Sequence, residues 1–142
     1  MKVKEIVSAY KALGEAKVSN LEESEIRKVV NNRKAMRAIA EEFEAFLKDC
    51  QEKFKPENWD EIQEKIQQWQ QEGEKTTLTE EERTTINRIV MEYQVKITKA
   101  IKEEEDKVVD INIETLTDDS ITKLLKHNDW PISKLDELSA IL

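Results

Sequence analysis

Apolar residues recur three or four positions apart through residues 1–107, a spacing that places them on one face of an α-helix. The pattern predicts a first helix from Lys2 to Leu13. Gly14 is expected to end it, because glycine readily adopts the left-handed conformation that follows a helix. A long second helix is predicted from Ser19 to Phe54. Ser19 and Glu22 match a capping box, in which each side chain satisfies a backbone amide of the first turn.

The second helix carries a heptad pattern with two apolar positions in each repeat. Arg33 interrupts this seam, and a charged residue at a seam position costs stability but fixes which helices pair. About 35 residues rising 1.5 Å each would extend roughly 50 Å, so the helix needs another long helix beside it or must project. The seam residues are Ile26, Val29, Met36, Ala40, Phe43, Leu47, Cys50 and Phe54.

Two further helices follow in the middle of the chain. The third is predicted from Glu57 to Glu72, with Trp59 and Trp69 on its apolar stripe and Gly73 at its end. The fourth begins at a second capping box, formed by Thr79 and Glu82. It has its own heptad seam, which consists of Ile86, Val90, Tyr93, Ile97 and Ala100.

The period changes after residue 107, where apolar and polar residues alternate from Val109 to Ile113. Alternation with a period of two predicts a short extended segment. A short helix is then expected to begin at Asp118, and a last one at Ser133. We interpret residues 108–142 as a small C-terminal cap.

These elements predict an all-α fold in one domain, residues 1–142. We expect an elongated helical bundle (residues 1–107) in which the second and fourth helices are long and antiparallel and the third is a short middle helix. Only two glycines and two prolines occur, so the chain lacks the turn residues of an all-β fold.

The formal net charge of −8 disfavours partners that carry phosphate. We therefore expect neither nucleic-acid binding nor membrane association, and no apolar run approaches the roughly 20 residues of a membrane helix. The segment from Met1 to Tyr10 has mixed charge and does not resemble a signal peptide. We expect a cytoplasmic protein.

Candidate catalytic chemistry is sparse. His127 is the only histidine, so one chain cannot form a catalytic triad or a metal site with several histidines. Cys50 lies on the seam of the second helix and is expected to behave as a small apolar residue. The glycine-rich phosphate-binding motifs are absent. We therefore predict no catalytic, cofactor-binding or metal-binding residue.

One pattern points to a metal-dependent enzyme. Helical nucleotide pyrophosphohydrolases use E-x-x-E followed by E-x-x-D, and Glu61, Glu64, Glu103 and Asp106 fit this spacing. However, a chain this rich in glutamate contains about four E-x-x-E pairs by chance. The hypothesis requires all four carboxylates to converge within reach of one metal ion.

Partner contacts are the better candidates for function. A heptad seam that is only half covered would expose apolar residues, and two tryptophans share one face of the third helix. The candidate contact residues are Arg33, Phe43, Leu47, Phe54, Trp59 and Trp69. The first half of the second helix also carries a basic patch, for which intrahelical pairs such as Glu23–Arg27 and Arg37–Glu41 are the simpler explanation.

Several segments carry a family resemblance: Tyr10 and Leu13 in the first helix, residues 33–44, and above all Glu105 to Leu116 followed by Ile132 to Leu142. In these segments and in its order of helices the chain resembles small helical proteins of unknown function encoded in bacteriophage and prophage genomes. The resemblance covers most of the chain, although residues 55–79 depart from the pattern. The resemblance implies a phage or prophage setting, in which incorporation into a phage particle is one expectation. It implies no biochemical activity.

The leading hypothesis is a non-enzymatic protein–protein interaction protein, such as a phage assembly factor or chaperone. Its partner would be another protein or a second copy of the same chain. One alternative is an acidic inhibitor that mimics nucleic acid, which requires Glu80–Glu82, Glu103–Asp106 and Asp118–Asp119 to form one negative face. The other is the metal-dependent hydrolase.

Overall fold

The computed structural model describes residues Met1–Leu142 and contains six α-helices and no β-strand. The predicted all-α fold with two long helices is confirmed. Short 3₁₀ turns lie at Gly73–Lys75 and Ser139–Ile141. None of the helices combines the length and the apolar character needed to cross a membrane. The helices are α1 (Val3–Glu15), α2 (Glu23–Lys53), α3 (Trp59–Glu72), α4 (Glu80–Glu105), α5 (Asp118–His127) and α6 (Lys134–Glu137).

The chain forms two compact units, and the two long helices belong to both. Unit 1 consists of Met1–Phe46 and Glu103–Leu142, and unit 2 consists of Leu47–Lys102. The chain leaves unit 1 within α2 and returns to it within α4. This division differs from the predicted boundary at residue 107, because the C-terminal segment shares a core with α1 and the first half of α2 instead of forming a separate cap.

The core of unit 1 combines residues from distant parts of the sequence. The apolar face of α1 packs with α2, α5 and the C-terminal turn in one cluster. Such a core stabilises the unit because each buried aliphatic side chain contributes about 1.5–3 kcal/mol. Its largest fully buried apolar side chains are Ile6, Met36, Leu124, Leu138 and Ile141.

The segment between α4 and α5 is extended, as the alternating pattern predicts. The backbone N–H of Val109 donates to the carbonyl of Met1 (2.9 Å), and the N–H of Val3 donates to the carbonyl of Lys107 (2.9 Å). Val109, Ile111 and Ile113 pack against the unit 1 core while the polar residues between them are exposed. The pairing is a single antiparallel bridge, too short to form a strand.

Asn32 holds the extended segment onto α2. Its side-chain amide donates to the carbonyl of Glu114 (2.7 Å), and the N–H of Glu114 donates to its Oδ1 (2.8 Å). Asn128 makes the same two-way contact with the backbone of Lys17, at 2.7 and 3.0 Å. Both asparagines therefore satisfy backbone groups that neither a helix nor a sheet pairs.

The structure corrects two predicted helix boundaries in unit 1. Gly14 lies inside α1 instead of ending it. A Cβ at this position would lie 2.8 Å from the guanidinium of Arg33, so the glycine leaves room for that side chain. Ser19 does not cap α2, which begins at Glu23; its hydroxyl lies 3.4 Å from the ring of His127.

Other boundaries agree more closely with the sequence. Thr79 accepts a hydrogen bond from the N–H of Glu82 (3.1 Å) and caps α4, as predicted. Gly73 ends α3 with a φ of 58°, a conformation that favours glycine. The cap of α5 is Thr117, one residue before the predicted Asp118.

Candidate interaction surface

Unit 2 has a small apolar cluster formed by α3 and α4. Ile62, Leu78 and Ile86 are its buried members. The surrounding apolar side chains are only partly buried, because two helices and a loop enclose a core from few sides. They are Trp59, Ile66, Trp69, Ile89 and Val90.

The two tryptophans of α3 have different surroundings. The ring of Trp59 lies 4.6 Å from the ring of Tyr93, and the Tyr93 hydroxyl donates to the carbonyl of Gln51 (3.1 Å). Trp59 therefore helps to hold α3, α4 and the end of α2 together. Trp69 lines an open groove between α3 and α4, where its ring is accessible to another molecule.

This groove, which we call the Trp69 groove, has a volume of about 350 Å³. No charged residue lines it, although 38% of the chain is charged. Its polar members are the side-chain amides of Gln70 and Asn87 and the backbone of Gly73, which can both donate and accept hydrogen bonds. The lining residues are Ile66, Trp69, Gln70, Gly73, Ile86, Asn87 and Val90.

The exposed surface of α4 next to the groove is also uncharged. Met91 and Val95 are 65% and 60% exposed, more than any other large apolar residue within a helix of this chain. They lie on the same face of α4 as Asn87, because residues three or four apart share one face of a helix. We call this uncharged row the neutral face; it comprises Thr84, Asn87, Met91, Gln94, Val95 and Thr98.

A second groove in unit 2 is charged. Lysines and glutamates line it together with Phe54 and Tyr93. The ammonium of Lys53 lies 5.5 Å from the centre of the Phe54 ring, within cation–π distance. Phe54 and Leu47 are both partly buried.

Phe43 is not available as a contact residue. It is only 8% exposed, so the expectation that the heptad seam exposes it is wrong. The neighbouring seam residues Ala40 and Met36 are buried too, and Cys50 is buried in unit 2. The seam of α2 is therefore covered at these positions within the chain itself.

Arg33 does not interrupt the core of α2, contrary to the sequence prediction. It is exposed, and its guanidinium lies 4.4 Å from the centre of the Tyr10 ring. Asn32 occupies the buried stripe instead, between Val29 and Met36. Asn32 and Arg33 are adjacent in the sequence, so heptad counting alone could not decide which of them faces the core.

The basic patch on α2 is largely neutralised by its own helix. Arg27 pairs with Glu23 at 2.8 Å, and Arg37 pairs with Glu41 at 2.9 Å, as the spacing predicts. The hydrogen bond to the Glu41 carboxylate raises the pKa of Arg37. A solvated helix face therefore explains these charges.

Glu25 is the least satisfied polar group of unit 1. Its carboxylate is 7% exposed and lies on the buried stripe of α2. One oxygen accepts from the Lys28 ammonium (3.3 Å), which also donates to the carbonyl of Thr115, while Oε2 has no hydrogen-bond partner. Sequence analysis missed Glu25 and Asn32, because polar residues on a charged helix carry no signal of burial.

Some of the acidic residues proposed for a nucleic-acid mimic pair with lysines in unit 1. Asp106 lies 3.7 and 3.5 Å from the ammonium groups of Lys2 and Lys4. Asp119 pairs with Lys123 at 3.0 Å. Because these lysines offset the negative charge locally, no observation favours a continuous negative face here.

The carboxylates proposed for a hydrolase are distributed over both units. Glu61 and Glu64 belong to unit 2, whereas Glu103 and Asp106 belong to unit 1. No group of three or more histidine, cysteine, aspartate or glutamate side chains is placed to hold a metal ion.

No family model, curated protein or solved structure matches this chain. A functional assignment therefore depends on the geometry of the chain itself.

Proposed function

We propose that this chain is a non-enzymatic protein–protein interaction protein that acts through unit 2, as an assembly factor or chaperone in a bacteriophage or prophage setting. Unit 1 contains the larger buried core and serves as the scaffold. The phage setting rests on the sequence resemblance alone.

The observation that supports the proposal is the Trp69 groove. Protein interfaces are depleted in charged residues at their centre and enriched in aromatic side chains and methionine. The groove has no charged lining residue, contains one partly buried tryptophan, and lies beside the exposed Met91. This combination stands out on a chain in which 38% of residues are charged.

The test is binding to the protein products of the neighbouring genes, measured by calorimetric titration. Trp69→Ala should raise the dissociation constant about thirtyfold or more, because buried aromatic residues dominate interface energies. Gln70→Lys should raise it about tenfold by placing a charge in the groove without removing an apolar contact.

Gln71→Lys is the matched control, since Gln71 is exposed and does not line the groove. It should leave the affinity unchanged. Equal effects of Gln70→Lys and Gln71→Lys would contradict the assignment of the groove, and the absence of any binding product would contradict the assembly role.

A further inference from the structure

We propose that the partner of the Trp69 groove is a second copy of this chain, which packs α4 against α4 in antiparallel fashion about a two-fold axis near Met91. This inference rests on the proposed function, because it assigns the occupant of the same groove. Three properties of the surface support this occupant: its charge, its hydrogen-bonding chemistry and the spacing of its apolar residues.

Charge comes first. A two-fold axis sets a surface against itself, so a patch of one sign would meet its own charge. With a net charge of −8, two copies repel one another unless the contact is neutral. The neutral face and the Trp69 groove meet this condition, whereas Arg88, Glu92 and Lys96 lie on the adjacent side of α4.

The polar side chains of this surface are also self-complementary. Asn87 and Gln94 are amides, and Thr84 and Thr98 are hydroxyls, so each can donate and accept a hydrogen bond. A surface made only of such groups can pair with a copy of itself, whereas a surface of carboxylates or ammonium groups cannot.

Val95 and the groove residue Asn87 lie at equal distances along α4 on either side of Met91. Asn87 lies four residues before Met91 and Val95 four residues after it. In an antiparallel pair centred on Met91, the two Met91 side chains meet, and Val95 of each copy lies over Asn87 of the other. Asn87 lines the Trp69 groove, so each Val95 reaches the other copy's groove. Because both features lie on one face, the contact closes as a dimer and does not propagate into a fibre.

The experiment measures molar mass by light scattering at concentrations from about 1 μM to about 1 mM. It compares the wild-type chain with two variants that place opposite charges at Met91. The wild-type chain should reach the mass of two chains. Met91→Glu and Met91→Lys should each raise the dimer dissociation constant about a hundredfold, because the two-fold axis sets like charges together. An equimolar mixture of the two variants should restore the dimer mass, since opposite charges then meet.

Ile132→Glu is the control, because Ile132 is 80% exposed and belongs to unit 1. It should leave the dimer intact, and circular dichroism should show the same helix content in all variants. A monomer at every concentration, or a mixture of Met91→Glu and Met91→Lys that stays monomeric, would overturn the inference. If a monomeric chain still loses a heterologous partner on Gln70→Lys, the inference fails while the proposed function stands.

Discussion

Unit 1 buries thirteen apolar residues in one cluster with eleven others partly buried against it, whereas the cluster of unit 2 buries three and has five partly buried neighbours. The difference follows from how each unit is enclosed. In unit 1 the extended segment, α5, α6 and the C-terminal turn contribute side chains to one core. In unit 2 only α3, α4 and their connecting loop do so, and grooves remain open.

The two units also differ in how their backbones are held. Asn32 and Asn128 each clamp a distant backbone segment of unit 1 through a pair of hydrogen bonds. Unit 2 has no such two-way clamp. A chain that combines a well-buried unit with a thinly buried one is what we expect when the first maintains the fold and the second binds a partner.

The largest expected loss of stability is for isoleucine to alanine in the core of unit 1, compared with the same substitution in unit 2. Ile6→Ala in unit 1 should lower the free energy of unfolding by about 3–4 kcal/mol, because Ile6 is fully buried. Ile66→Ala in unit 2 should cost about 1 kcal/mol, because Ile66 is only partly buried. Urea denaturation of both variants measures the two values. Similar costs would show that the units are equally well packed.

A medium effect is expected at the asparagine clamp of unit 1. Asn32→Ala should cost about 2–3 kcal/mol, because Asn32 is 1% exposed and both of its hydrogen bonds to the Glu114 backbone are lost. Hydrogen exchange should show a faster-exchanging Glu114 amide and unchanged protection in α3.

Asn31→Ala is the matched control for this clamp. Asn31 is exposed and makes only a 3.4 Å contact with the Glu114 carboxylate, so its loss should cost under about 0.5 kcal/mol. Comparable costs for the two asparagines would mean that the clamp does not hold the segment.

The smallest effect concerns Lys134, which is 14% exposed and joins α1 to α6. Its ammonium donates to Glu137 (3.0 Å) and to Glu15 (3.3 Å), and it lies 4.9 Å from the centre of the Trp130 ring. The hydrogen bond to Glu137 raises the pKa of Lys134 above its ordinary 10.5, although desolvation opposes the shift.

Because the pKa is higher in the folded state, the stabilisation is complete below the ordinary value and is lost as the pH rises through the folded-state value. Lys134→Met should therefore lower the free energy of unfolding by about 0.5–1 kcal/mol at pH 7. The difference from wild type should shrink above about pH 10.5. Thermal unfolding at several pH values measures it, and a difference that persists at high pH would assign the effect to packing.

Local patterns in the sequence predicted the helices and the extended segment. The Thr79 cap and the Gly73 end of α3 depend on residues within one or two turns, so they are visible without a structure. Alternation from Val109 to Ile113 likewise predicts which side chains face inward. Of the proposed interaction surface, the sequence predicted Trp69 but not the uncharged row beside it, because Met91 and Val95 lie off the heptad seam.

Only the tertiary structure decided which polar residues are buried and which apolar residues are exposed. Asn32 pairs with Glu114, and Ser19 contacts His127 instead of capping its own helix, through contacts that span 82 and 108 residues. Arg33 lies over the ring of Tyr10 in α1 instead of facing the core. By itself the sequence determined the helices, since helix formation depends on neighbours along the chain. It did not determine the two units or the groove, since burial depends on segments that meet only after folding.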